Sequence, residues 1–300
     1  MAKTKSSAAL GGLLVVLAGM LWGTTGLFID KLNAAGLSSM QICELRAGIT
    51  ALVMLLMTLC VKPALLRIRF RDMWIFLGSG VGSILFFNYC YFNAIQESGM
   101  AVAATLLYTS PVFVMLLSLP LFGERITGRK VVSLIMTVAG CVLVSGLVTA
   151  GASFTKWGLL YGIGAGFGYA LYSIFTRFAI RRGYESMTIT TYTFLVAAVG
   201  GLFLTDFRQI ASATVAGGAD LWLLLVGYTV VTTVAPYLLY TNGLRHIENS
   251  KAAVMAAVEP ACATLLQIVV LRVFPGPVAM VGILLVLVAI VVLNTGNKRR

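Results

Sequence analysis

The feature that most constrains this chain is a succession of apolar runs, each about as long as a bilayer is thick. A helix needs about 20 mostly apolar residues to cross roughly 30 Å of hydrocarbon. Ten segments meet that criterion, near 9–29, 39–60, 73–95, 101–121, 129–149, 157–178, 187–205, 220–243, 251–272 and 277–295. Of the 300 residues only 11% are charged, against about a quarter in a soluble domain. The sequence therefore predicts an all-α integral membrane protein of ten transmembrane helices, since a helix satisfies its own backbone where no water can. The longest outer loop, 205–220, is too short for a soluble domain.

A net charge of +12 would suggest nucleic acid in a soluble protein, but its distribution argues otherwise. With the N-terminus placed in the cytoplasm, 17 basic residues fall on inner segments and 4 (Lys31, Lys156, Arg208, Arg272) on outer ones, with Arg46 inside a helix, which accounts for all 22. The positive-inside rule then sets both termini in the cytoplasm, as an even number of crossings requires. No nucleic-acid partner is expected. The first helix follows a short basic tail like a signal peptide, but Asp30 and Lys31 follow it without a small-residue cleavage site, so it is read as retained. The five cysteines lie in apolar segments without metal-ligand spacing, and the single His246 falls in a loop. No metal, cofactor or catalytic constellation is expected, and an ATP-binding Gly-Lys-Ser/Thr loop is not found.

The chain also repeats itself at an offset of 149. That offset pairs Gly78 with Gly227, Tyr91 with Tyr240, Asn93 with Asn242, Ala103 and Ala104 with Ala252 and Ala253, and Pro111 with Pro260. Residues 1–150 and 151–300 are thus read as two copies of five helices. An odd number of crossings per copy turns the second over, giving two inverted repeats. In each copy a proline interrupts an apolar helix and frees a backbone carbonyl in the membrane, that of Leu107 for Pro111 and that of Ala256 for Pro260.

Glu259, directly before Pro260, is the leading candidate. It lies on a stripe of small and polar residues (Ala252, Met255, Ala256, Ala263, Gln267), which faces protein or water rather than lipid. A carboxyl there is suited to cycling a proton or holding a cationic group. Glu44 and Arg46 sit two residues apart, about 200° around a helix, and so cannot pair with each other. Arg46 is left with two readings, neutralisation by Glu259 or snorkelling to the interface. Gly19, Gly23 and Gly26 in the first helix form a small-residue seam with Trp22 beside it; Gly162, Gly164, Gly166 and Gly168 precede Tyr169 and Tyr172 in the sixth. Asn88 and Tyr91, one turn apart, can face a substrate together. Tyr108, Tyr237 and Tyr240 complete the set expected to shape a pocket.

At this point the chain resembles the drug/metabolite transporter superfamily, in its EamA-like branch. The resemblance rests on Leu21-Trp22-Gly23-Thr24-Thr25, the Arg46 region, Thr109-Ser110-Pro111-Val112-Phe113, Gly123-Glu124-Arg125-Ile126-Thr127 and Val258-Glu259-Pro260, and runs over essentially the whole chain. It implies two inverted five-helix repeats around a central cavity lined by helices 1, 3, 4, 6, 8 and 9. One departure stands out: after helix 9 the chain reads Leu271-Arg272-Val273-Phe274-Pro275-Gly276, without the acid that usually follows.

The function expected is secondary active transport of small organic metabolites by alternating access, with amino-acid or related export in the foreground and proton coupling through Glu259. Pro111, Pro260 and Arg46 are expected to take part in gating. An alternative cargo is a choline-like or drug-like organic cation, held by aromatic rings; a membrane-embedded enzyme is the distant alternative. The expected setting is a bacterial plasma membrane, as a monomer or homodimer, with substrate, protons and lipid as its partners.

Overall fold

The computed structural model of the chain describes residues 2–148, 155–272 and 274–295. Val273, the terminal Lys298, Arg299 and Arg300 and the expected boundary at 150/151 lie outside the described residues, and of Lys3 and Lys5 only the backbone is described. Among the described residues all regular structure is helical. In chain order the α-helices are α1 (Ala2–Trp22), α2 (Thr25–Ala34), α3 (Ser39–Val61), α4 (Met73–Leu77), α5 (Phe86–Leu107), α6 (Ser110–Phe122), α7 (Gly128–Val144), α8 (Lys156–Arg181), α9 (Ser186–Gly201), α10 (Phe207–Thr229), α11 (Ala235–Leu244), α12 (Asn249–Ala256), α13 (Val258–Leu266) and α14 (Pro277–Asn294). Wider π-helical turns join α4 to α5 (Gly78–Leu85) and α10 to α11 (Val230–Val234), and extend α13 (Gln267–Leu271).

Among the described residues, seven helical spans are long and apolar enough to cross a membrane, and α6 and α9 are shorter apolar helices. The chain is a multi-pass helical membrane protein. Three of the ten predicted segments, 101–121, 129–149 and 187–205, are not among the seven. The last two form α7 and α9, of 17 and 16 residues, short of a full crossing. The segment expected at 101–121 is divided: its second part is α6, and its first part runs on from 73–95 through Phe70–Leu107, 38 residues. At 1.5 Å per residue a straight helix of that length would be about 57 Å, nearly twice the hydrocarbon core. The chain turns inside it, at Gly99 (φ 82°, ψ 164°), a conformation reached readily only without a Cβ. Gly218 (φ 55°, ψ −149°) bends the 38-residue span Phe207–Leu244 in the same way. The expectation that 205–220 is a loop is therefore corrected. Residues 207–217 are helical, started by the Asp206 carboxylate accepting from the Arg208 N–H at 2.9 Å.

The two halves echo each other in backbone conformation as well as in sequence. Tyr108 (φ −74°, ψ 7°) ends α5 and Ala257 (φ −68°, ψ 6°) ends α12, 149 residues apart and each three residues before a proline. Gly123 (φ 70°, ψ 26°) and Arg272 (φ 58°, ψ 24°) share the left-handed conformation at the same offset. The turn that departs from the family pattern thus keeps its backbone shape while placing an arginine where glycine is preferred.

Packing joins the halves instead of separating them. α1 packs on α11, α12 and α13; α8 packs on α5 and α6; α3 pairs with α9 and α7 with α14. Each of these contacts takes one helix from each half, so residues on the 1–150 and 151–300 sides share one core and do not form two bodies. At the α7–α14 crossing a Cβ on Gly140 would lie 2.8 Å from the Gly282 carbonyl oxygen, and one on Gly282 would lie 2.7 Å from that of Gly140. Reciprocal glycines allow this approach, the small-residue contact that replaces hydrophobic driving force between membrane helices.

Candidate functional site

Each proline leaves a carbonyl without its helical N–H, and the helix breaks ahead of it. The breaks separate α5 from α6 and α12 from α13. The first helix of each half closes on the broken helix of the other. On α1, a Cβ at Gly19 would lie 2.7 Å from the Ala256 carbonyl oxygen and one at Gly23 would lie 2.8 Å from that of Glu259. On α8, a Cβ at Gly166 would lie 2.7 Å from the Leu106 carbonyl oxygen and 3.4 Å from that of Leu107. Gly26 corrects the expected seam: nothing comes within 4 Å of a Cβ there.

Between the breaks lies a narrow cavity whose empty space, counted out through its mouth, is about 580 Å³. Aromatic rings from several helices make most of its wall: Trp22, Phe87, Tyr108, Tyr169, Tyr172, Tyr237 and Tyr240. Trp22 packs with ring centroids 5.3 Å from Tyr237, 5.4 Å from Tyr240 and 6.3 Å from Tyr169. Two hydroxyls are fixed by neighbours, Tyr172 with Thr241 at 2.8 Å and Tyr240 with Ser173 at 2.7 Å. Ser83, Ser110, Pro111 and Glu259 supply the rest of the polar and bent surface.

Glu259 is half-buried in the first turn of α13, where the helix dipole favours an anion. Its carboxylate accepts from the Tyr169 hydroxyl at 3.4 Å, longer than an ordinary O–H···O bond. No cationic side chain pairs with it among the described residues. The carboxylate is thus aimed into the cavity with its bonding capacity largely unused.

Of the residues expected at the site, Trp22, Tyr108, Tyr169, Tyr172, Tyr237, Tyr240, Glu259 and Pro111 line the cavity, with Pro260 buried beside it. Asn88, Tyr91 and Arg46 do not. The Asn88 amide donates to the Ile84 carbonyl at 2.7 Å and its oxygen accepts from Cys43 Sγ at 3.3 Å, while Tyr91 packs its ring 5.9 Å from that of Phe87 and stands within electrostatic reach of Glu259. Arg46 Nη2 lies 3.7 Å from Cys43 Sγ, and its guanidinium is near Tyr228 and Tyr237. It forms no ion pair with Glu259; Tyr237 stands within electrostatic reach of both charges. Glu44 points away from Arg46, against Gly201 of α9.

A polar network lies beyond one end of the cavity, and sequence reasoning gave it no role. The Asn249 side chain donates to the Ser173 carbonyl at 3.1 Å and accepts from Arg177 Nε at 2.6 Å. Arg177 also donates to the carbonyls of Leu244 and Ile247 at 2.6 and 2.5 Å. Glu124, from the turn after α6, caps α12: its oxygens accept from the Asn249 N–H at 2.7 Å, the Ser250 N–H at 3.1 Å and the Ser250 hydroxyl at 2.5 Å. Lys130 is buried behind it, 2.9 Å from Glu248 and 3.8 Å from Glu124. The available signal was Glu124 itself, an acid one residue past a glycine helix end, but its partners lie more than a hundred residues away.

Two stretches of the chain, residues 9–146 and 156–295, match the model of the EamA-like transporter family. The chain belongs to that family. It is 30% identical to an uncharacterized transporter of Archaeoglobus fulgidus over 252 residues, 84% of each chain. It is 25% identical to the uncharacterized transporter YxxF of Bacillus subtilis over 210 residues, covering 68% of this chain and 65% of that one. One solved crystal structure superposes with a TM-score of 0.78 at 21% identity, covering 96% of both chains, which speaks for the fold. As a member of the EamA-like family the chain is a membrane transporter, and both of these relatives are named as transporters rather than enzymes. Both matched stretches contain one broken helix, and the cavity lies between them.

Proposed function

We propose that the protein is a secondary transporter that moves small amine-bearing organic metabolites, amino acids and their relatives foremost, across a bacterial plasma membrane by alternating access. The observation that carries this reading is the unpaired Glu259 carboxylate in an aromatic cavity bounded by two broken helices. A carboxylate in a dry site binds a substrate ammonium or a proton, one at the expense of the other, and that competition couples the two. Arg46, half-buried and without an acidic partner among the described residues, supplies the opposite charge within electrostatic reach of Tyr237. A zwitterion fits such a pair of fields.

Ten crossings in two inverted five-helix repeats, divided near 150/151, remain the topology that best accounts for the backbone echo at an offset of 149. Movement of helix groups drawn from both halves about the cavity, with the breaks at Pro111 and Pro260 as its walls, would expose it to each side in turn. Orientation with both termini in the cytoplasm is supported by contacts that gather the basic loops at one end of the bundle. There Arg182 pairs with Asp72 at 2.9 Å, Arg245 pairs with Glu185, Ser7 meets His246 and Lys130 meets Glu248.

The cage of Trp22, Tyr169, Tyr237 and Tyr240 beside a carboxylate favours a second cargo, organic cations held by cation–π attraction. Counterflow in proteoliposomes separates the readings. Vesicles loaded with an unlabelled amino acid and given its labelled form outside should show a transient overshoot, with choline unable to replace it. Overshoot with choline and none with amino acids would select the cation reading, and no overshoot with either would reject both cargo classes.

A further inference from the structure

A second cleft, away from the central cavity, opens at the end of the bundle where α7 begins and α14 finishes; its empty space, mouth included, is about 810 Å³. Four of its lining residues are cationic, Arg125, Arg129, Lys130 and Lys251, against one carboxylate, Glu248. Lys130 is only 3% exposed and is held by the Arg125 carbonyl at 2.9 Å and by Glu248; Lys251 shares Glu248 at 3.6 Å. Arg125 and Arg129 are exposed and have no acidic partner among the described residues. Between them Thr127 caps α7, a helix of 17 residues whose first amides have no helical acceptor.

The cleft's position bears on what it takes. Leu293 and Asn294 close its other wall, at the end of an apolar helix of mean hydropathy 2.7. The cleft therefore lies at the depth where a membrane helix emerges among lipid headgroups. From it α7 and α14, packed together, present outward-facing apolar side chains, Val132 and Ile135 on one and Val288 and Val291 on the other. Two guanidinium groups, a helix N-terminus and an excess of positive charge suit a phosphate, and an apolar track leading away from it suits acyl chains.

We propose that this cleft binds a phosphate group, carried by an anionic phospholipid or by a soluble phosphate ester. The bound group competes with Glu248 for Lys130 and Lys251, and so touches the network that caps α12 through Glu124. This site is independent of the cargo carried by the central cavity.

Native mass spectrometry of the full chain, titrated with dioctanoyl phosphatidylglycerol, dioctanoyl phosphatidylcholine and glycerol phosphate, tests it. The wild type should bind the anionic lipid saturably and several-fold more tightly than the zwitterionic one. The variant R125Q/R129Q should weaken that binding about tenfold or more, and E248Q should tighten it by removing the competing carboxylate. Glycerol phosphate bound as tightly as the lipid, with the same loss in R125Q/R129Q, keeps the phosphate site and assigns it to soluble esters. Binding of both phosphates unchanged in R125Q/R129Q overturns the proposal; if that variant does not fold, E248Q decides, an unchanged or weaker affinity overturning it.

Discussion

Gly19 meets the carbonyl of Ala256 closely enough that a Cβ on the glycine would lie 2.7 Å from the oxygen. This contact ties helix α1 of one half to the break in the other half. A Gly19→Ala substitution must push the backbone of α12 away, since a carbonyl oxygen cannot rotate aside as a flexible side chain does. Overpacking of this kind costs about 1–3 kcal/mol. Thermal unfolding in detergent should show a lower melting temperature for G19A and little change for G26A, where the added methyl meets nothing within 4 Å. Equal behaviour of the two variants would contradict the close approach.

Glu124 reaches across from the end of α6 to hold the first amides of α12. The position that ordinarily caps this helix is Glu248, whose side chain is turned to Lys130 and Lys251 instead. Glu124→Gln keeps the shape but removes the charge that strengthens these bonds. Loss of a cap costs about 1 kcal/mol, so hydrogen exchange at 249–252 should quicken about fivefold to tenfold, with exchange in α3 unchanged. Unaltered exchange at 249–252 would show that the cap does not hold the helix.

Glu248 gives a pH signature. Burial raises its carboxyl pKa, but the hydrogen bond and charge of Lys130 and the charge of Lys251 outweigh that, and the net shift is downward. A carboxyl depressed in the folded state stabilises it above the unfolded pKa, about 4.3, and that contribution is lost as pH falls through the folded value. Melting temperature measured between pH 7 and pH 3 should therefore fall more steeply for wild type than for Glu248→Gln. Parallel curves would remove the ion pair from the account.

Much of this was legible in the sequence because membrane helices are written in runs of apolar residues and breaks are written in proline. Pro111, Pro260 and Glu259 mark the cavity in the sequence itself, and the tyrosines that surround it are indicated by their place in the repeated helices. What was not legible depended on where a side chain turns. Asn88 has the right helix and depth, but its amide is consumed by Ile84 and Cys43, which spacing does not reveal. The count of spans was blurred at Gly99, and the helix over 207–217 was hidden ahead of Gly218, because the chain turns there within a few residues and leaves no loop to read. The Glu124 network was invisible because its partners are distant in sequence, and Arg272 adopts a glycine conformation without a glycine.

The central claim is that Glu259 couples cargo to protons, and one measurement tests it most directly. Proteoliposomes loaded with a pH-sensitive dye are given a panel of amino acids, and proton movement and labelled amino-acid flux are followed together for wild type and Glu259→Gln. Coupling through Glu259 predicts cargo-evoked proton movement in wild type that falls at least tenfold in the variant, with the pH dependence of flux lost. Cargo flux and proton movement equal in the two proteins would contradict it and leave Glu259 as a structural carboxylate beside a helix break.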